Sequence, residues 1–75
     1  MLLIRGSIGP QVTTLQENLN TVGVTVDVDG TYGPGTEAAV KTFQTANGIS
    51  ADGKYGDGTH AKMEELLAQM SGGQS

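Results

Sequence analysis

Residues 29–36 read DGTYGPGT and residues 52–59 read DGKYGDGT. Six of these eight positions are identical: Asp29/Asp52, Gly30/Gly53, Tyr32/Tyr55, Gly33/Gly56, Gly35/Gly58 and Thr36/Thr59. An apolar-Gln pair precedes each copy, Leu15-Gln16 and then Phe43-Gln44, three residues after a valine (Val12, Val40). The unit V-x-x-[LF]-Q, then a Gly, then DG-x-YG-x-GT therefore occurs twice, and the second copy is shorter between its Gln and its Asp. A repeat of this kind marks two copies of one supersecondary unit.

The spacing has a physical reading. Asp-Gly is a turn dipeptide, because Asp bonds nearby backbone and Gly accepts φ > 0. In the first copy Gly33-Pro34 then marks a helix start, with Pro34 at the first helical position. Asp57 takes that place in the second copy, where a carboxylate suits the positive end of a helix dipole. Glycine makes up 12 of the 75 residues, about twice its usual share of ~7%. Its concentration in two equivalent loops argues for order.

Helical periodicity fills the segments around the loops. Val12, Leu15, Leu19 and Val22 share one helix face, and that helix is expected to start after Gly9-Pro10 and stop at Gly23. Ala39, Val40, Phe43 and Ala46 mark a second helix, closed by Asn47-Gly48 in a left-handed cap. Met63, Leu66, Leu67 and Met70 mark a third. Val24, Val26 and Val28 alternate with Thr25 and Asp27 at strand period, but so short a segment cannot form a sheet alone. It is expected to run extended and pack its valines on the helices. The fold class is therefore all-α: a compact three-helix bundle, with helices near 10–22, 35–47 and 57–70, an internal pseudo-repeat and Gly-rich DGxYG loops. One domain covers residues 1–70. Residues 71–75 (SGGQS) have the composition of a flexible linker, as in a module tethered to something longer.

Composition excludes several functions. The net charge is −4, with only four Lys and Arg. Arg5, Lys41, Lys54 and Lys62 cannot form the basic stripe that neutralises phosphates, so no nucleic-acid partner is expected. No apolar run approaches the ~20 residues of a spanning helix, so no membrane insertion is expected. Met1-Leu2-Leu3-Ile4 is too short for the apolar region of an export signal. There is no cysteine, which removes disulfides, thiolate zinc sites and a Cys nucleophile.

The pattern R-G-S-x-G-P-x-V-x-x-L-Q-x-x-L-N-x-x-G, then D-G-x-Y-G-P-x-T-x-x-A-V-x-x-F-Q-x-x-x-G-I, then D-G-x-Y-G-x-x-T, resembles the bacterial peptidoglycan-binding domain. That module is appended to cell-wall hydrolases, amidases, spore-cortex lytic enzymes and phage endolysins. The resemblance runs from about Leu3 to Met70, with many positions at defined spacing. It implies a three-helix fold with a pseudo-repeat and a non-catalytic role, holding a lytic domain against the wall. The partners implied are glycan or stem peptide and a tethered catalytic domain. The expected place of action is the bacterial cell wall or periplasm, and a monomer is expected. A similar fold forms the pro-region of matrix metalloproteases, whose inhibitory cysteine this chain lacks. The stretch Val24–Val28 is longer than the family pattern. The competing reading is a protein-interaction or structural module that reuses the three helices without binding carbohydrate.

No catalytic residue, metal site or cofactor is expected. A calcium loop opening at Asp27 would need Gly at its sixth position and Glu at its twelfth, where Tyr32 and Ala38 stand. His60 is the only histidine and reads as a solvated residue near a helix start. Asp29 and Asp52 read as turn caps, and Gln16 and Gln44 as partly buried amides satisfied by adjacent loop backbone. The tyrosine rings are expected to pack under the loops with their hydroxyls at the surface. Arg5 is either a clamp for a carboxylate or the partner of a nearby acid.

The ligand groove is expected along the first repeat, from Asp29, Thr31, Tyr32, Gly33 and Thr36, with Gln44 and Asn47 from the following helix and Arg5 from the leading segment. The reason is geometric. A loop with little side-chain bulk exposes backbone N–H and C=O groups to the amides of a wall polymer.

Overall fold

The computed structural model describes residues 2–72 and contains three helices: α1 (Pro10–Thr21), α2 (Pro34–Ala46) and α3 (Asp57–Gly72). The all-α expectation holds. α3 continues through Ser71 and Gly72, two residues into the expected linker. Met1 and the rest of that tail, 73–75, lie outside the described residues.

Local chemistry explains the helix limits. Pro10 and Pro34 open α1 and α2, where the missing N–H costs no bond and φ is already helical. Both helices close in the same way. Gly23 has φ 95° and Gly48 φ 71°. Val24 N–H donates to Leu19 O at 2.8 Å while Gly23 N–H donates to Asn20 O at 3.1 Å. Ile49 N–H donates to Gln44 O at 2.8 Å while Gly48 N–H donates to Thr45 O at 3.3 Å. These paired bonds satisfy carbonyls that a helix end leaves open, and they need a left-handed residue that glycine supplies.

α1 packs against both α2 and α3. Its Val12, Leu15 and Leu19 meet Val40 and Phe43 of α2 and Met63 of α3 in one core, roofed by Leu3, Tyr32 and Tyr55. Burying each large apolar side chain stabilises by about 1.5–3 kcal/mol. The expected apolar stripe of α3 is only partly used. Met63 is fully buried and Leu66 and Leu67 are half-buried, whereas Met70 is 56% exposed. The bundle ends before the last turns of α3.

Among the described residues no strand forms, and extended pairing is limited to two antiparallel bridges, Leu3 with Tyr55 and Ile8 with Thr31. They show how the leading segment is used. Leu3 and Tyr55 exchange N–H···O bonds of 3.0 and 2.9 Å. Tyr32 N–H donates to Ser7 O at 2.8 Å, and Gly6 N–H donates back to Tyr32 O at 2.9 Å. One short segment thus laces both DG loops together.

Val24–Val28 is extended without pairing. Val24 and Val26 are half-buried against the core, while Thr25, Asp27 and Val28 are exposed. The Asn20 side chain fixes this stretch, donating to Val26 O at 2.8 Å and accepting from Val26 N–H at 3.0 Å.

Candidate functional site

Each DG loop is built around one buried glutamine. Gln16 Nε2 lies 3.0 Å from Asp29 Oδ1, 3.0 Å from Thr31 O and 2.9 Å from Thr36 Oγ1. Its Oε1 accepts the N–H groups of Asp29 and Gly30, both at 2.9 Å. Gln44 repeats this in the second loop, reaching Asp52 Oδ1 at 3.0 Å, Lys54 O at 2.9 Å and Thr59 Oγ1 at 3.1 Å. Its Oε1 accepts Gly53 N–H at 3.0 Å. A side-chain amide suits this position because it donates and accepts at once. Leu-Gln and Phe-Gln are therefore paired devices: the apolar residue fills the core and the amide holds the loop.

The aspartates complete the turns. Asp29 Oδ1 accepts Thr31 N–H at 3.0 Å, and Asp52 Oδ1 accepts Lys54 N–H at 2.9 Å. The backbone N–H of Thr31, with help from the Gln16 amide, holds the Asp29 carboxyl below its usual range. Lys54 N–H and the Gln44 amide do the same for Asp52. Bonds that favour the ionised form lower a carboxyl pKa.

The groove expected along the first repeat is not assembled. Tyr32, Thr36 and Gln44 are interior, exposed by 3% or less. Gln44 serves the second loop, because its helix follows the first loop and points its amide at the next one. The Tyr32 hydroxyl was expected at the surface. It is instead buried and donates to Gly53 O at 2.6 Å, and burial raises its pKa well above the ordinary phenol value. The Asn47 amide donates to Phe43 O at 2.8 Å at the end of α2. Arg5 pairs with Glu37 at 3.5 Å. Asp29 and Thr31 remain at the surface beside the half-buried Gly33.

A different concavity lies between α1 and the start of α3, with a volume of about 140 Å³. Leu3, Leu15 and Tyr55 form its apolar floor, Gln11, Thr14 and Asn18 run along one side, and His60 stands opposite. Those three α1 residues recur at i, i+3 and i+7, one stripe of a helix. That uncharged polar stripe was legible beside the core stripe, but the sequence did not show that α3 would close a cleft over it. Their side chains make no hydrogen bond among the described residues, whereas the Gln, Asp and Thr36 or Thr59 side chains of the two loops are bonded within the fold.

His60 is ordered by its neighbours rather than freely solvated. Its Nδ1 lies 2.9 Å from the Tyr55 hydroxyl, and the rings meet edge to face with centroids 5.6 Å apart. Burial, with Glu64 adding to it, pushes the Tyr55 phenol up to about 12. The other ring nitrogen, Nε2, lies 3.7 Å from Glu64 Oε2. No group of three or more His, Asp or Glu among the described residues is arranged to hold a metal ion.

Residues 8–63 match the family model described as "Putative peptidoglycan binding domain". No curated protein matches the chain at a significant level. Among solved structures, the chain is similar to a Burkholderia AP3 phage endolysin, at 36% identity and TM-score 0.82, covering 84% of this chain and 24% of that one. It is similar to the SleB N-terminal domain at 34% identity and TM-score 0.83, covering 88% of this chain and 92% of that one. A fused Zn-dependent amidase/peptidase/peptidoglycan-binding protein from Clostridium acetobutylicum aligns at 35% identity and TM-score 0.80, over 84% of this chain and 28% of that one. The chain thus spans about a quarter of the endolysin and of the amidase, and nearly all of the SleB domain. With both repeats inside the matched region, the chain belongs to the peptidoglycan-binding domain family.

Proposed function

We propose that this chain is a non-catalytic module that binds peptidoglycan and keeps a tethered lytic or wall-remodelling domain on its substrate. The observation that carries the proposal is the family match across residues 8–63. Neighbours in which the same fold is a minor part of an endolysin or an amidase support it. The physics of the surface agrees. The α1–α3 cleft, at about 140 Å³, is smaller than the ~300 Å³ or more of sites that enclose a whole small molecule. A repeating polymer suits such a surface, since it offers many weak contacts in sequence.

Binding by one module should fall in the micromolar to millimolar range, roughly −8 to −4 kcal/mol. The tether raises the effective concentration of the catalytic domain at an insoluble substrate, so weak binding suffices. The net charge of −4 points to short-range polar recognition rather than long-range attraction to anionic wall polymers.

The test is sedimentation with purified, protein-free sacculi. The chain should pellet in proportion to wall concentration and release no muropeptides over hours. Failure to pellet at any wall concentration would favour a protein-interaction role for the same three helices.

A further inference from the structure

We propose that the cleft between α1 and the start of α3 is an N-acetyl subsite, taking the acetamido group of an amino sugar in a glycan strand. The inference rests on the peptidoglycan-binding reading and names the part of the polymer that is read.

The size of the cleft selects a side group rather than a ring. A space of about 140 Å³ is well below the ~300 Å³ or more of sites that enclose a whole small molecule, so it suits one side group of a larger ligand. Its chemistry is divided in the way an acetamido group is divided. Leu3, Leu15 and the Tyr55 ring offer an apolar floor to the methyl. Gln11, Thr14 and Asn18 offer amide and hydroxyl groups, both donors and acceptors, to an amide N–H and C=O. These groups make no bond within the described fold. Burying them against an apolar ligand would leave them unsatisfied, so the cleft favours a ligand that is itself polar at one edge.

The charges around the cleft favour glycan over stem peptide. A stem peptide carries carboxylates and calls for a cation. No Lys or Arg lines the cleft. Among the described lining residues the ionisable ones are Tyr55 and His60, and His60 stands 3.7 Å from the Glu64 carboxylate, which disfavours a carboxylate ligand there. The concavity under the second loop serves less well, because its Gln44, Asp52 and Thr59 are already bonded to one another.

Three ligands separate the possibilities by amide chemical shifts of the labelled chain: an N-acetylglucosamine tetramer, cellotetraose, which is neutral and lacks the acetamido group, and a free stem tetrapeptide. The N-acetylated tetramer should shift the resonances of residues 11–18 and 55–60 with at least tenfold higher apparent affinity than the other two. Equal shifts from cellotetraose or the tetrapeptide would overturn the proposal, as would unmoved cleft resonances at tens of millimolar N-acetylated tetramer. Thr14→Arg, at an exposed helix position, should keep the parental melting midpoint and lose at least tenfold in sacculus sedimentation. If the parent chain pellets and a normally melting Thr14→Arg variant pellets equally, the subsite is wrong and the module reading stands. If the parent chain itself fails to pellet, the module reading falls.

Discussion

The Tyr32 hydroxyl donates to the carbonyl oxygen of Gly53 across 2.6 Å of buried space. This one bond joins the two halves of the repeat, because Tyr32 belongs to the first DG loop and Gly53 is the glycine of the second. Tyr55, its counterpart, turns its hydroxyl to His60 instead, at the edge of the α1–α3 cleft. The repeat is therefore symmetric in how each loop is held and asymmetric in what its tyrosine does.

Tyr32→Phe should be destabilising although it removes a single oxygen. The variant leaves Gly53 O buried without its donor, which costs about 1–3 kcal/mol. For a domain of this length that lowers the melting midpoint by roughly 4 °C or more. Tyr55→Phe should cost less, because its partner His60 is half-exposed and can turn to water. Equal midpoints for the two variants would show that Tyr32 does not tie the loops together.

Gly53→Ala and Gly23→Ala make an informative pair. Both glycines have positive φ, 75° and 95°, so an added Cβ is strained at either, by about 1–2 kcal/mol. At Gly23 the new atom meets nothing within 4 Å. At Gly53 it would lie 2.8 Å from Glu37 Cγ and 3.1 Å from Lys41 Cε. Moving Glu37 also disturbs its pair with Arg5. Gly53→Ala should therefore melt clearly below Gly23→Ala in thermal unfolding, and the reverse order would contradict the packing at the second loop.

Acid should loosen both loops together. The Asp29 and Asp52 carboxyls have folded-state pKa values below the ordinary one. Groups of this kind contribute stability above the unfolded pKa of about 4, and that contribution fades as pH falls through the depressed folded value. The melting midpoint should stay nearly level from pH 7 to about 5 and fall below about pH 4. In the double variant Asp29→Asn, Asp52→Asn, which keeps an acceptor oxygen but cannot titrate, the midpoint at pH 7 should be lower and its fall in acid shallower. An unchanged acid slope would assign the loss to other carboxylates.

Much of this architecture was legible because its signals are local. Pro34 opening a helix, Gly48 closing one and the Val12–Leu15–Leu19 stripe each follow from constraints on a few neighbouring residues. Gln16 and Gln44 could be read as loop-satisfying amides because each precedes a turn with free backbone groups. The lacing of Leu3 and Ser7 to Tyr55 and Tyr32 could not be read, since it joins residues far apart through backbone atoms that carry no sequence signature. The same limit applies to the groove expected along the first repeat, three of whose residues, Tyr32, Thr36 and Gln44, are buried. The bare glycine loop suggested open backbone, but Gln16 and the leading segment had already taken it. The cleft needed the crossing of α1 and α3, which no spacing along the chain encodes.

Thr31→Arg distinguishes the two surfaces. Thr31 is exposed at the rim of the first loop, and its backbone N–H and C=O are held by Asp29 and Gln16. An arginine side chain there extends into solvent, so the fold and the melting midpoint should be kept within about 0.5 kcal/mol of the parent. It would cover the remaining exposed atoms of the first loop, the face beside Asp29 and Gly33. If the acetamido cleft is the contact surface, Thr31→Arg should sediment with sacculi like the parent at limiting wall concentration, while Thr14→Arg should not. The added positive charge could raise attraction to anionic walls, so the comparison should be repeated at 0.5 M salt, where the screening length falls to a few ångströms. A Thr31→Arg variant that melts normally yet no longer pellets at either salt concentration would return the binding face to the first DG loop, with Asp29, Thr31 and Gly33 as its contacts.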